Sequence, residues 1–196
     1  MRLFVGVPIP EGIKEKIANC QKKLSGDISL VSLENLHFTL KFLGEVPETK
    51  VNSISGRLSI IAKQHNQFTV SIKRVGSFPR VIWAGAESNE LLSLTADIQD
   101  SLADIRKENY DTIKLHLTIA RIRSGRVSVQ SFANEDFGSF VVDRFVLYQS
   151  VLKRTGPEYG AIREFRLLPS KKSFFGAARG VGPFTHEDEL DTQGRF

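Results

Sequence analysis

The stretch Asn35–Gly44, NLHFTLKFLG, places a histidine and a threonine inside an apolar run. A similar stretch appears later as Lys114–Arg121, KLHLTIAR, so Leu-His-apolar-Thr-apolar occurs twice. Two of the four histidines in the chain hold the same place in this repeated phrase. Alternation of apolar and polar residues predicts that both stretches are β-strands.

Side chains on a strand alternate between its two faces, so each strand presents its histidine and threonine together. In the first strand we expect His37 and Thr39 on one face, about 7 Å apart, with Lys41 next along. Phe38 and Phe42 should then point into the core. On a single strand, such a histidine would be interpreted as a structural residue with a hydrogen-bond partner. Packing alone does not explain why the same His and Thr arrangement occurs in two strands.

The second strand should present His116 and Thr118 in the same way. If the two strands face each other, two imidazoles and two hydroxyls converge on one small group. Imidazoles titrate near neutral pH, so one can accept a proton while the other donates one. Hydroxyls can donate to anionic oxygens, and the anion that best suits this set is a phosphodiester. The sequence has no HExxH or CxxC spacing, so we expect neither a metal nor another cofactor.

The order of the predicted elements favours an α+β fold. A strand, a helix, a strand, a helix, a hairpin, a helix and further strands follow one another, without βαβ units built on a glycine-rich loop. Each histidine strand follows a helix. We therefore predict two pseudo-symmetric lobes with antiparallel sheets flanked by helices, and an active-site cleft between them.

Composition limits the classes of protein to consider. The net charge of +5 and a pI near 9.4 favour an anionic partner such as nucleic acid. No apolar run approaches the roughly 20 residues of a membrane helix, and the N-terminal stretch does not resemble a signal peptide. The single cysteine, Cys20, has no partner for an internal disulfide, which is consistent with a cytoplasmic protein. We expect a monomer without membrane contact.

The two phrases HFTL and HLTI resemble the paired H-x-T-x motifs of the two-histidine phosphoesterases. Their flanks RLFVGVPIP, LKFLGEV, SFPRVIWAG and YQSVLKRTGPEYGAIREF resemble the RNA 2′,3′-cyclic phosphodiesterase group, also known as 2′-5′ RNA ligases. The resemblance spans residues 1 to about 168 in the expected order. It implies a bilobal fold with the site between the lobes, which we assign to residues 1–184. Residues 185–196 are a polar, acidic tail that we expect to be flexible.

The resemblance implies hydrolysis of an RNA-terminal 2′,3′-cyclic phosphate to a 2′-phosphate, and possible ATP-independent 2′-5′ ligation. It suggests His37 as the general acid and His116 as the general base. Which histidine is acid and which is base stays open from the residues themselves. Thr39 and Thr118 would hold the non-bridging oxygens. The alternative is a non-catalytic nucleotide- or RNA-binding module on the same fold, although binding alone does not need paired proton carriers.

Further residues are candidates for contacts with RNA. Arg121 closes HLTIAR and would bind phosphate, but strict alternation places it opposite His116, so a bulge or strand end is needed. An aromatic side chain in SFPRVIW could stack on a base and its arginine could bind backbone phosphate. The alternatives are a core position for Trp83 and a solvated charge for Arg121. The candidates from this set and the later GPEYG are Phe78, Arg80, Trp83 and Tyr159.

Overall fold

The computed structural model describes residues 1–106, 115–154 and 156–170. Within them, the helices are α1 Glu11–Gln21, α2 Val51–Ala62 and α3 Asn89–Ser101. The strands are β1 Arg2–Pro8, β2 Ile28–Leu30, β3 His37–Glu45, β4 Phe68–Phe78, β5 Val81–Glu87, β6 His116–Ile122, β7 Asp136–Val142, β8 Arg144–Lys153 and β9 Gly156–Arg166. Apolar residues at spacings of three and four in each helix form the face that packs on the sheet.

All nine strands belong to one sheet, in the order β7-β4-β5-β6-β3-β1-β8-β9, with β2 paired to β6. Every pairing between these strands is antiparallel. The predicted α+β class and antiparallel pairing are confirmed, but the separate sheets expected of two lobes are one continuous sheet, because β3 of the first half pairs with β6 of the second. The strands of the two halves meet at β3 and β6, whose ladder contains the single pair Phe38–Leu117. β2 then takes the place of β3 beside β6, from Ala120 to Ile122.

The core lies between the sheet and the three helices of the described residues. Helix α1 packs on β6 and β7, α3 packs on β3 and β4, and α2 packs on α3 and β9. The opposite face of the sheet carries the histidines. This arrangement leaves one face of β3 and β6 free to build a site.

One stretch is not what its local pattern indicates. The β-rich run Ser139–Lys153 is divided, because β7 ends at Val142 and β8 begins at Arg144, and these two strands lie toward opposite ends of the strand order. Both pieces are apolar and β-branched, so local pattern does not reveal the break at Asp143. Residues 127–135 contain one short element, the 3-10 turn Gln130–Phe132. The predicted tail over residues 185–196 lies outside the described residues.

No helix in the described part of the chain combines the length and the apolar character needed to cross a membrane.

Candidate active site

The two histidine strands meet at the pair Phe38–Leu117. Both of these side chains are fully buried and point into the core. Because side chains alternate along a strand, the residues on either side of this pair point to the opposite face. In an antiparallel ladder, His37 then lies on the side of Thr118, and Thr39 lies on the side of His116. The two motifs are therefore related by an approximate twofold axis through one residue pair.

The imidazole of His37 has a partner at each nitrogen. Its Nδ1 lies 2.7 Å from the backbone carbonyl oxygen of Asn35, and its Nε2 lies 3.0 Å from Oγ1 of Thr39. A carbonyl oxygen only accepts, so Nδ1–H is the donor. In the neutral ring Nε2 is then the unprotonated nitrogen, and it accepts from the hydroxyl of Thr39. The side-chain amide of Asn35 in turn donates to the carbonyl of Pro157 at 2.8 Å, which ties this turn to β9.

Aromatic rings surround His37 on its own half of the sheet. The ring of Phe4 lies 4.7 Å from the imidazole, and the ring of Tyr159 meets it edge-on at 5.2 Å. Tyr148 stacks on Phe4 at 5.0 Å. Gly6 leaves room for the imidazole, because a Cβ at this position would lie 3.1 Å from Cδ2 of His37 and 2.9 Å from the backbone oxygen of Phe38. His37 is therefore held in one orientation from several sides.

His116 has aromatic neighbours from the other half of the sheet. Phe78 meets its ring edge-on at 5.4 Å and lies 5.5 Å from Trp83. In the β5–β6 ladder, Trp83 pairs with Thr118 and Gly85 pairs with His116. Phe78 and Trp83 thus both lie at the second motif.

A β-bulge follows the threonine in each strand. In the β1–β3 ladder, Gly6 pairs with Thr39 and Val5 pairs with Lys41, so Leu40 has no partner in β1. In the β5–β6 ladder, Trp83 pairs with Thr118 and Ile82 pairs with Ala120, so Ile119 has no partner in β5. An extra residue reverses the alternation of faces beyond it.

The first bulge overturns the prediction for the end of β3. Lys41 was expected beside His37 and Thr39, but it pairs with Val5 and is only 2% exposed. Phe42 was expected in the core, but it is 44% exposed. The prediction was wrong because strict alternation does not allow for the extra residue.

The second bulge resolves the position of Arg121. With Ala120 and Ile122 buried, the side chain of Arg121 points to the exposed face that carries His116 and Thr118. Of the two possibilities that the sequence left open, a bulge or a strand end, the structure has the bulge. Arg80 lies at the exposed turn between β4 and β5, and its carbonyl accepts from Ile122 N–H at 3.1 Å, which places this turn beside the end of β6.

Two glutamines from helices support the bulges. The amide of Gln99 in α3 donates to the carbonyl of Leu40 at 3.0 Å. The amide of Gln21 at the end of α1 donates to the carbonyl of Ile119 at 2.8 Å and to that of Val31 at 2.8 Å. The carbonyl of Ile119 also accepts from the backbone N–H of Val31 at 3.0 Å, so Gln21 adds a second donor at this bulge.

Burial lowers the pKa of His37 from 6.5 to about 4. The carbonyl of Asn35 opposes this shift, while Arg121 and His116 lower the pKa further through electrostatic repulsion of the protonated ring. Both groups from the second half therefore lie close enough to His37 to act on it. At neutral pH, with no anion bound, His37 is an unprotonated imidazole.

Sequence reasoning missed four contributors to this site. Phe4 and Tyr148 line the His37 side, and alternation in β1 could have indicated Phe4 by its position on the face opposite Leu3. The carbonyl of Asn35 acts through the backbone and leaves no signal in the sequence. The space provided by Gly6 depends on the approach of a neighbouring strand.

Among the residues that the structure describes, no three His, Cys, Asp or Glu side chains are grouped as a metal site requires. A groove of about 300 Å³ between α2 and α3 is lined by residues from Arg57 to Ser101 and lies apart from both motifs.

Comparison with known proteins identifies the family. Residues 7–83 match the family model of LigT-like phosphoesterases. A protein from Methanocaldococcus jannaschii named RNA 2′,3′-cyclic phosphodiesterase is 37% identical over 179 residues, which cover 84% of this chain and 100% of that protein. A protein of the same name from Archaeoglobus fulgidus is 38% identical over 177 residues, covering 84% and 99%.

Solved structures agree with these relatives. A protein of Thermus thermophilus superimposes with a TM-score of 0.78 at 28% identity, covering 87% of this chain and 100% of that one. LigT of E. coli, crystallised with 3′-AMP, superimposes with a TM-score of 0.75 at 26% identity, covering 85% and 97%. With its paired motifs, its fold and relatives of this identity and coverage, the chain belongs to the LigT-like phosphoesterase family.

Proposed function

We propose that this phosphoesterase hydrolyses the 2′,3′-cyclic phosphate at the end of an RNA to a 2′-phosphate, without a metal, by paired histidine catalysis. The observation that carries the proposal is the convergence of the two motifs on one face through the pair Phe38–Leu117. The electrostatic effect of His116 and Arg121 on His37 supports the same convergence. The relatives named RNA 2′,3′-cyclic phosphodiesterase supply the substrate class.

The reaction needs one proton removed and one supplied. Water attacks the phosphorus in line with the bond to O3′, and a neutral imidazole takes a proton from that water. The bond between phosphorus and O3′ breaks, and a protonated imidazole gives its proton to the departing O3′. The phosphate remains on O2′. In this scheme His37 is the general acid and His116 is the general base, as the family resemblance suggests.

The lowered pKa of His37 places a condition on this assignment. An acid with a pKa of about 4 is unprotonated in the substrate-free protein at pH 7, but it transfers its proton readily once it is protonated. A bound phosphate anion would raise the pKa, because opposite charge nearby favours the protonated ring and offsets Arg121. With the roles reversed, His37 would serve as the base in the protonation state of the free protein. The pH dependence of kcat/KM gives the pKa values of the two groups in the free enzyme, but its form is the same for either assignment. A phosphodiester with a leaving group that needs no protonation distinguishes the two, because it should restore turnover only to the variant that lacks the acid.

The threonines and Arg121 complete the phosphate site. Thr39 and Thr118 stand beside the two imidazoles on the same face and would donate to the non-bridging oxygens. For Thr39 this requires protonation of His37, after which Nε2 no longer accepts its hydroxyl proton. These bonds strengthen as charge accumulates in the transition state. Arg121, turned to this face by its bulge, would pair with the phosphate. The face between the two halves then forms the cleft, and residues 1–184 would act as one bilobal domain.

Aromatic and basic side chains around the motifs suit an RNA end. Tyr159 beside His37, and Phe78 and Trp83 beside the second motif, would contact a ribose or base. Arg80 at the adjacent turn would contact backbone phosphate. Ligation would use the same phosphorus, with a 5′-hydroxyl replacing water and without ATP. We propose that the protein acts on RNA as a monomer.

The decisive experiment incubates the purified protein with an RNA that ends in a 2′,3′-cyclic phosphate and identifies the new end. A 2′-phosphate is expected. A 3′-phosphate means that the wrong bond breaks, and binding without turnover identifies a non-catalytic binding module. Activity should persist in excess EDTA. Loss in EDTA with recovery on adding a divalent cation contradicts the metal-free mechanism.

A further inference from the structure

The twofold relation between the two motifs extends beyond the threonines to two residues that hold equivalent positions but differ in side-chain type. Phe42 follows His37 by five residues, and Arg121 follows His116 by five residues, each across a bulge at the same position. The ladders agree, because Phe4 pairs with Phe42 and Val81 pairs with Arg121. The same backbone frame therefore presents an aromatic ring on one half and a guanidinium on the other.

Phe42 is out of place as a structural residue. It is 44% exposed, while the residues on either side of it, Lys41 and Leu43, are only 2% and 3% exposed. Its ring lies 6.2 Å from that of Phe4, which itself lies 4.7 Å from the imidazole of His37. A hydrophobic ring is thus exposed on the catalytic face, at the end of a continuous row of rings.

We propose that Phe42 stacks on the base of the nucleotide that carries the cyclic phosphate, while Arg121 holds the phosphate itself. The inference rests on the proposed function, since it assumes a nucleotide at this site. A terminal nucleotide is itself asymmetric, with an anionic phosphate at one end and a flat apolar base at the other. If the phosphorus lies near the twofold axis, the two halves of the site must differ from each other. Otherwise the nucleotide could bind in either of two orientations.

The chemistry of the two side chains matches these two ends. A guanidinium offers paired donors to phosphate oxygens. An exposed aromatic ring stacks on any base, because every base has a π-face. The orientation that results determines which imidazole lies nearer O3′, so Phe42 would fix the direction of the reaction as well as binding the base.

Binding measurements by calorimetry test whether Phe42 contacts the base while Arg121 contacts the phosphate. Phe42→Ala should weaken adenosine 2′-monophosphate about tenfold, within the range of about 5- to 150-fold that base–aromatic stacking gives. It should weaken inorganic phosphate much less. Arg121→Gln should weaken both ligands. Phe42→Tyr should restore the nucleotide affinity, and Val141→Ala, an equally apolar exposed change on β7, should alter neither. Equal weakening of both ligands by Phe42→Ala would overturn the proposal.

Kinetics separate this inference from the proposed function. The substrates are adenosine 2′,3′-cyclic phosphate and methyl riboside 2′,3′-cyclic phosphate, which lacks a base. Phe42→Ala should raise KM at least five times more for the first substrate than for the second. If the natural protein turns over both substrates and the variant affects them equally, the stacking role is wrong and the proposed function stands. If the natural protein turns over neither substrate, the proposed function fails, and the assignment of Phe42 fails with it.

Discussion

The half of the sheet that carries His37 and the half that carries His116 share a backbone plan and differ in the aromatic residues beside the imidazole. In each half a threonine follows two residues after the histidine, and a bulge comes next. His37 is held at both nitrogens and packed against Phe4 and Tyr159. His116 meets Phe78 edge-on.

In the proposed mechanism, this difference would let one repeated unit perform two opposite tasks. Two identical imidazoles in identical surroundings would hold their protons equally well. Burial on one half lowers the pKa of His37 to about 4, so the two rings need not carry protons together. The backbone repeat positions the pair, and the unlike neighbours set the protonation of one member.

The largest expected effect comes from removing either histidine. His37→Ala and His116→Ala should each lower kcat on a 2′,3′-cyclic nucleotide by about 10²- to 10⁴-fold, because each removes one half of acid–base catalysis. The double variant should be little worse than either single one, since the two act as a unit. Steady-state kinetics checks this, with His65→Ala as the control. Multiplying losses in the double variant would mean that the two halves work independently.

The next effect concerns stability and pH. Between pH 6.5 and about 4 the unfolded chain binds a proton at His37 that the folded chain does not. The free energy of unfolding should therefore fall as pH falls through this window, by about 3 kcal/mol from this residue. Urea unfolding at a series of pH values checks this. His37→Gln should flatten the fall, whereas His65→Gln should keep it. An unchanged slope in His37→Gln means that burial does not shift this imidazole.

The threonines test whether the two halves hold the phosphate equally. Thr39→Val and Thr118→Val should each cost about 2 kcal/mol in kcat/KM, because each removes one donor to a developing charge. The matched variants Thr39→Ser and Thr118→Ser keep the hydroxyl and should retain most activity. A loss confined to one threonine shows that the phosphate is bound mainly by that half.

The smallest expected effect is a loss of stability when the glutamines that contact the bulges are replaced. Gln99→Leu leaves the carbonyl of Leu40 without its helix donor, and Gln21→Leu removes donors from both Ile119 and Val31. Each variant should lower the free energy of unfolding by about 1 kcal/mol, with Gln21→Leu the worse of the two. Denaturant unfolding checks this, and the exposed Gln64→Leu is the control. Equal stability of all three variants indicates that the ladders alone hold the bulges.

Much of this organisation could be predicted from the sequence, because it follows from local pattern. Alternation gave the histidine strands and the shared face of His37 and Thr39, and the repeated phrase indicated that the two motifs act together. The requirement for a bulge or a strand end before Arg121 came from the same counting. The paired imidazoles and hydroxyls indicated a phosphodiester, and the family resemblance then supplied the cyclic phosphate at an RNA end.

What could not be predicted depends on contacts between distant parts of the chain. The bulge at Leu40 reversed the expected positions of Lys41 and Phe42, and nothing local marks it. The carbonyl of Asn35 acts on His37 without any side-chain signature. The separation of β7 from β8 at Asp143 depends on which strands pair across the sheet. In each case tertiary pairing decides what local pattern leaves open.

The single pair Phe38–Leu117 has a consequence for how substrate size is controlled. Since β3 and β6 are bonded at this one position, the opening between the imidazoles depends on the angle at which the strands separate. Side chains on the far face set that angle, because Phe38 and Leu117 are fully buried there. In the proposed mechanism, the hydrophobic residues behind the site would then set the width of the space between the imidazoles. We expect a change in their volume to alter the size of phosphodiester that fits, without a change in any residue of the proposed site.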